Sequence, residues 1–283
     1  MDALRLKLIA RQGLKIPVLL RRLFRWDDEP GFCYLIYHRV SGDSRFDVDL
    51  PLPLFRRQFE FLARARRVVS YDEALNALKS GQEVTDEAFV LTFDDGYEDF
   101  YTHVFPLLRD LELPAILFVT TGFIETGIPY PILHHDSPDA TPVNWDMLGE
   151  MAASGLVTVG AHTHTHPILT NVSETQVEEE LVKPLEIFHE RLDIKVQHFA
   201  YPKALWNQKV ETLVKQHYAT AVICGEQKAT PRHFKPYRIP RIPIRRSDGW
   251  LFFLAKIRSW LEGEEALYDK LHEFRRNHRR TTN

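Results

Sequence analysis

Two adjacent carboxylates are the first residues of this 283-residue chain whose types and spacing suggest chemistry. Asp94 and Asp95 follow an apolar run at 88–91, after Thr92 and Phe93. A carboxylate at the end of a buried strand is costly unless a cation or a hydrogen-bond donor receives it. Neighbouring strand residues point in opposite directions, so one Asp can face a metal while the other lies near a bound water. The alternative is an Asp that caps the next helix, and the pair alone does not decide between the two.

A dense group of histidines ends a second apolar run, at 157–161. His162, His164 and His166 lie within five residues, and imidazole is a common zinc ligand. His162 and His166 can converge in a one-turn loop, whereas His162 and His164 would share one face if the strand continued. We favour His162 and His166, because the strand is predicted to stop at Ala161 and Pro167 fixes the exit. Three surface histidines remain the alternative without function.

Asp95 and these two histidines would leave open positions on a metal, as catalysis requires. A metal held in this way polarises a carbonyl group and lowers the pKa of a bound water to about 7. A neighbouring carboxylate, Asp94, can then accept the proton of that water. The predicted chemistry is hydrolysis of an amide or ester with a divalent metal. We expect zinc, although cobalt, nickel or iron would suit the same ligands.

Short apolar runs alternate with segments of helical period, which predicts an α/β fold with mainly parallel strands. Seven or eight such units indicate a distorted or incomplete (β/α) barrel, in which reactive side chains gather at the carboxyl ends of the strands. The predicted strands are 33–38, 68–70, 88–92, 115–120, 157–161, 198–200, 220–224 and 239–244. The predicted helices are 53–65, 71–79, 98–111, 145–154, 173–192, 207–217, 249–262 and 264–276. A long irregular loop is predicted at 121–142.

The chain divides into a basic amphipathic segment at 1–30, the barrel domain at 31–262, and a helix with a basic tail at 263–283. The first segment either lies on an anionic membrane surface or packs on its own domain. It contains no recognisable signal peptide or membrane span, so we expect a cytoplasmic protein, at the membrane surface in the first case. A net charge of −3 argues against a nucleic-acid partner. Cys33 and Cys224 lie in apolar runs and are expected in the core.

Several motifs in this sequence resemble those of the polysaccharide deacetylase (NodB-like) family. Thr92-Phe93-Asp94-Asp95-Gly96 resembles its first motif, and His162-Thr163-x-x-His166-Pro167 resembles its second. The resemblance extends over roughly residues 32–246 and includes Tyr37-His38-Arg39-Val40, Trp145-Asp146-Met147-Leu148, Phe199-Ala200-Tyr201-Pro202 and Pro240-Arg241-Ile242. It implies that Asp94 is the catalytic base and that Asp95, His162 and His166 bind the metal.

The resemblance also implies roles around these four residues. Tyr201 and Pro202 would line the substrate groove, where a backbone N–H could hold the oxyanion, and Trp145 would support the site. A late histidine usually serves as the catalytic acid, but no convincing late motif is present. The sequence resembles the circularly permuted biofilm-polysaccharide deacetylases, which places that acid at His38; a histidine that only packs is the alternative. Arg241 is the candidate to hold Asp94 by a charged hydrogen bond, and the alternative is that it is a structural surface arginine.

The function implied is removal of N-acetyl groups from amino sugars of a glycan or of a lipid-linked sugar. Hydrolysis of another acyl amide or ester, or carbohydrate binding without catalysis, are the alternatives. One departure bears on the substrate: Lys203-Ala204 stands where the family commonly has Gly two residues after the motif proline. A cation at this rim suggests an anionic substrate.

Overall fold

The fold is taken from a computed structural model. It describes residues 11–13, 15–16, 18–19, 30–42, 44, 46–65, 67–81, 84–128, 140–225, 227–264 and 267. Most of the predicted segments 1–30 and 263–283, including most of the predicted helix 264–276, lie outside these residues.

A ring of parallel strands forms the centre of the molecule. The strands are β1 (Phe32–Tyr37), β2 (Arg67–Val68), β3 (Ala88–Asp95), β4 (Ala115–Val119), β5 (Val157–Ala161), β6 (His198–Ala200), β7 (Thr220–Cys224) and β8 (Ile239–Pro243). The ring closes because β1 pairs with both β3 and β8, while β2 is attached beside β3. The predicted (β/α) barrel is therefore confirmed, with seven strands in the closed ring. The shortest pairing in the ring is between β5 and β6, where Ala161 and Phe199 are the one pair of residues.

Helices surround this ring. They are α1 (Leu52–Ala65), α2 (Tyr71–Ser80), α3 (Phe105–Leu111), α4 (Thr121–Thr126), α5 (Trp145–Ala153), α6 (Glu174–Leu192), α7 (Gln208–His217) and α8 (Gly249–Lys256), with a π-helical stretch (Phe100–Val104) before α3. Ser173 and Gln176 form a capping box at the start of α6. The predicted loop 121–142 is wrong at its start, where α4 forms, and residues 129–139 lie outside the described part. The predicted helix 249–262 is shorter, because α8 ends at Lys256.

Strand alternation divides the apolar residues into two cores. Tyr34, Val90 and Phe118 belong to the cluster inside the barrel, whereas Phe89 and Leu117 belong to the larger cluster between strands and helices. Helix α2 contributes to the inner cluster, and the hydroxyl groups of Tyr71 and Thr220 lie 2.9 Å apart at the amino ends of the strands. The carboxyl ends are thus left for the polar residues predicted to do chemistry.

Two basic residues of the N-terminal segment point into the protein. Lys15 is fully buried and pairs with Asp248, and Arg11 Nε lies 3.4 Å from Glu264 Oε1. Of the two alternatives for this segment, these contacts favour packing of Arg11 and Lys15 on their own domain. None of the helices in the described residues is both long and apolar enough to cross a bilayer. Cys33 is buried and Cys224 half-buried, and the two do not form a disulfide.

Candidate metal centre and catalytic site

Three of the predicted ligands converge at the carboxyl ends of β3 and β5. Asp95 Oδ1 lies 3.6 Å from His162 Nε2 and 3.7 Å from His166 Nε2. One possible ligand atom from each residue lies within 4.8 Å of the others. Metal–ligand bonds of about 2.0–2.2 Å can span the two carboxylate–imidazole separations from a single ion. Two imidazoles and one carboxylate therefore fit one divalent metal here.

The barrel register explains why Asp95 and His162 meet. Asp95 is paired with Val119 on β4, and Val119 is paired with Ala161 on β5, directly before His162. The backbone then turns sharply, since Asp95 has φ 80°, Thr163 φ 67° and His166 φ 58°. Left-handed conformations are unfavourable for residues with a Cβ and tend to occur at functional sites.

The protonation of both histidines suits a metal ligand. His162 Nδ1 lies 2.7 Å from the carbonyl oxygen of Ala200, so this nitrogen carries the proton and Nε2 is left as the ligand atom. Burial lowers the pKa of His166 to about 3, with His162 contributing in the same direction and Asp95 opposing. His166 is therefore neutral at pH 7.

His164, the third histidine, lies on another side of the loop. Its Nδ1 is 2.9 Å from the hydroxyl of Thr121, the first residue of α4. Its backbone N–H donates to Glu180 at 2.8 Å. Of the two predicted histidine pairs, the geometry brings His162 and His166 to Asp95.

Asp94 points into the barrel, where Arg241 holds it. Arg241 Nη1 and Nη2 donate to the two carboxylate oxygens of Asp94 at 2.6 and 2.8 Å. Burial raises the pKa of Asp94, but Arg241 and His162 outweigh it and bring the pKa to about 2. Arg241 is 1% exposed, so the alternative of a surface arginine is wrong. Asp94 is thus an ionised carboxylate with Oδ2 3.9 Å from His162 Nε2.

His38 follows β1 directly, and the register places it beside the carboxylate pair. Tyr37 is paired with Phe93, the residue before Asp94. Burial lowers the pKa of His38, whereas the charges of Asp95 and Asp94 raise it. Its buried Nδ1 has no hydrogen-bond partner among the described residues. The imidazole therefore lies within the electrostatic field of the site and keeps a ring nitrogen available.

The predicted groove residues are placed differently. The Tyr201 side chain is buried, with its ring 5.3 Å from that of Phe199, and its backbone N–H donates to the carbonyl of Val222 at 3.3 Å. The side chain therefore does not line a groove, and an oxyanion role would require the N–H to leave Val222. Pro202 is also buried, at the start of a short 3₁₀ turn.

Trp145 is not brought to the site. Its Nε1 donates to Glu125 at 2.7 Å, and its ring packs edge-on against Phe188 of α6. These contacts fix the start of α5 against its neighbours. Among the described residues, Trp145 has no hydrogen bond or ring contact with Asp94, Asp95 or the histidines.

Two residues at the site were missed or incompletely described by sequence reasoning. Glu180 on α6 accepts hydrogen bonds from the histidine loop, although it reads as part of a solvated acidic run at 178–180. Lys203 is exposed with φ 56°, and its charge contributes to lowering the pKa of His166. The anionic substrate that this cation suggests stays a prediction.

Known proteins are similar to this chain in sequence and in fold. The family model described as polysaccharide deacetylase matches residues 81–222. The poly-β-1,6-N-acetyl-D-glucosamine N-deacetylase of Escherichia coli is 31% identical over 139 residues, which are 47% of this chain and 20% of that protein. The protein of the same name from Staphylococcus aureus is 27% identical over 162 residues, which are 54% of this chain and 53% of that protein. The chain thus spans about a fifth and about half of these two relatives.

Solved structures show the same architecture. IcaB from Ammonifex degensii has a TM-score of 0.70 at 23% identity, covering 82% of this chain and 97% of that one. The deacetylase PplD from Streptococcus pyogenes, solved with acetate, has a TM-score of 0.68 at 20% identity, covering 81% and 99%. At these identities the likeness concerns the fold alone. With the family model matching half of its length, the chain belongs to the polysaccharide deacetylase family.

Proposed function

We propose that this protein is a metal-dependent deacetylase that removes N-acetyl groups from amino sugars of a polysaccharide. The observation that carries the proposal is Asp94, a buried carboxylate kept ionised by Arg241 next to the Asp95, His162 and His166 ligand set. The names of the two curated relatives, both deacetylases of an N-acetylglucosamine polymer, support an amino-sugar polymer as the substrate.

Asp95, His162 and His166 would hold a divalent metal, which polarises the acetyl carbonyl and makes a water more acidic. Asp94 accepts the proton of the attacking water. Its low pKa makes it a weak base, so its value lies in being ionised and fixed in direction by two charged hydrogen bonds.

His38 lies near the same carboxylates and donates a proton to the nitrogen of the departing amino sugar. An amine leaves poorly without this proton, because the amide anion is a very strong base. The pKa of His38 is lowered, because burial outweighs the opposing charges of Asp95 and Asp94, and its protonated form is therefore a stronger acid than a free imidazolium.

The proposal is tested by acetate release from N-acetylated glucosamine oligomers of β-1,6 and β-1,4 linkage and from lipid-linked acetamido sugars. We expect release from at least one of them, loss of release with a chelator, and recovery when zinc or cobalt is added back. Release from O-acetyl esters alone would instead favour an esterase, and metal and glycan binding without turnover would favour a binding protein.

Asp94→Asn separates base catalysis from metal binding. We expect this variant to keep its zinc stoichiometry, measured by elemental analysis, and to lose acetate release by 10²-fold or more. Asp110→Asn, at an exposed carboxylate on α3, is the matched control and should behave as the wild type. Full activity in Asp94→Asn would contradict the mechanism.

A further inference from the structure

We infer that Glu180 is a positioning residue for the metal centre: it sets the loop that carries His166. The inference rests on the proposed metal site. The Glu180 carboxylate accepts the backbone N–H of His164 at 2.8 Å and that of Thr165 at 2.7 Å, and it also accepts the Thr165 hydroxyl. Glu180 is not one of the three clustered ligand residues, so it acts on the loop and not on the metal.

The loop needs such support because its backbone is unfavourable. Thr163 and His166 both have left-handed conformations, which residues with a Cβ rarely adopt. Between them, the backbone N–H groups of His164 and Thr165 donate to Glu180, outside the loop. A single carboxylate satisfies both with charge-assisted hydrogen bonds, which are stronger than neutral ones.

The opposite side of the loop is held by α4. Gly122 N–H donates to the carbonyl of His164 at 2.8 Å, and a Cβ on Gly122 would lie 2.5 Å from that oxygen. Within the loop, the Thr163 hydroxyl accepts the N–H of His166 at 3.0 Å. The carboxylate on α6 and the backbone of α4 therefore hold the turn between them, and His166 follows directly.

His162 does not depend on this arrangement. Its N–H donates to Val119 on β4 at 2.9 Å, and its ring Nδ1 is fixed by Ala200 on β6. The barrel itself positions His162, whereas the loop positions His166. A change at Glu180 should therefore weaken metal binding through His166 alone.

The test is zinc affinity of the full chain, measured by competition with a chromophoric chelator. We expect Glu180→Gln to bind zinc about 10-fold to 100-fold more weakly, since loss of a group that orients a ligand has effects of this size. Both N–H groups donate to one carboxylate oxygen, which the amide oxygen can replace, but the charge is lost and an NH₂ group replaces the oxygen that accepts the Thr165 hydroxyl. Glu179→Gln is the matched control, because Glu179 is exposed on the same helix and should leave the affinity unchanged.

A second comparison tests the route through His166. In a His166→Ala background, adding Glu180→Gln should cause no further loss of zinc affinity. Glu180→Asp keeps the charge on a side chain that is shorter by one methylene. Its zinc affinity should lie between those of wild type and Glu180→Gln. This variant gives a measurement even if Glu180→Gln does not fold.

The outcomes separate this inference from the proposed function. A wild-type chain that binds no zinc would contradict the proposed function. A wild type that binds zinc, with Glu180→Gln binding equally well, would overturn the role of Glu180. A lower melting temperature with unchanged zinc affinity would also overturn it, because the carboxylate would then serve stability alone.

Discussion

At the scale of single residues, the Asp94–Arg241 pair determines the charge inside the barrel. A buried carboxylate without a partner has a raised pKa, yet the pKa of Asp94 falls to about 2 because Arg241 donates two hydrogen bonds to it. The folded value lies below the ordinary 3.8, so the pair contributes stability above pH 3.8. That contribution is lost as the pH falls from 3.8 through about 2.

Replacing Arg241 should therefore reverse the way in which Asp94 makes stability depend on pH. In Arg241→Met we expect the pKa of Asp94 to rise above its ordinary value, since burial would no longer be outweighed. The free energy of unfolding should drop by about 3–5 kcal/mol at pH 7, and the deficit should shrink as Asp94 is protonated at lower pH. Urea unfolding at pH 7 and pH 4 measures both.

Arg241→Lys is the control, because it keeps the positive charge without the bidentate geometry. Its free energy of unfolding should lie between those of Arg241→Met and wild type. The acidic limb of the kcat/KM profile should move to higher pH in the order wild type, Arg241→Lys, Arg241→Met. An unchanged limb in both variants would mean that Asp94 is not the group whose ionisation activity requires.

His38 gives a prediction that depends on the leaving group. We expect His38→Gln to lose about 10²-fold to 10⁴-fold in acetate release from an N-acetyl sugar, since it removes a general acid. Hydrolysis of 4-nitrophenyl acetate should fall much less, because nitrophenolate leaves without a proton. His233→Gln, at an exposed histidine, is the control. Equal losses on the two substrates would favour the packing alternative for His38.

At the scale of secondary structure elements, some strands were predicted at both ends and others at one end. The bounds of β5, β6 and β7 agree with the prediction. Strand β3 was predicted to stop at Thr92 but extends to Asp95. The reason is tertiary: a strand can bury Asp94 only because Arg241, 147 residues later, lies beside it. Local sequence does not contain that partner.

The histidine loop shows the same limit. Motif spacing and a predicted strand end were enough to favour His162 and His166, and the structure brings these two to Asp95. The elements that hold the loop were not foreseen, because α4 lies in a segment rich in Gly and Pro, and Glu180 lies in an acidic run. A carboxylate on a solvated helix and one bonded to a loop have the same local sequence pattern.

At the scale of the whole molecule, a buried ionic cluster joins both ends of the described chain to the barrel. Lys15 and Lys256 both contact Asp248, and both lie within ion-pair distance of Glu264. Burial raises the pKa of Asp248, but Lys256 and Lys15 together lower it by more. The carboxylate therefore stays ionised. Lys256 also donates to the carbonyl of Pro243 at 2.7 Å, which connects the cluster to the strand that carries Arg241.

This cluster predicts that the N-terminal segment contributes directly to stability. Lys15→Met removes one of the two lysines that contact both buried carboxylates and leaves Asp248 with Lys256 alone, so we expect the free energy of unfolding to fall by about 3–5 kcal/mol. Lys209→Met, at an exposed lysine on α7, should change it by less than about 0.5 kcal/mol. In a double-mutant cycle with Asp248→Asn, the loss from Lys15→Met should become smaller, because part of the unpaired negative charge is gone. Urea unfolding at pH 7 measures all four. A Lys15→Met variant as stable as Lys209→Met would mean that the segment docks on the barrel without stabilising it.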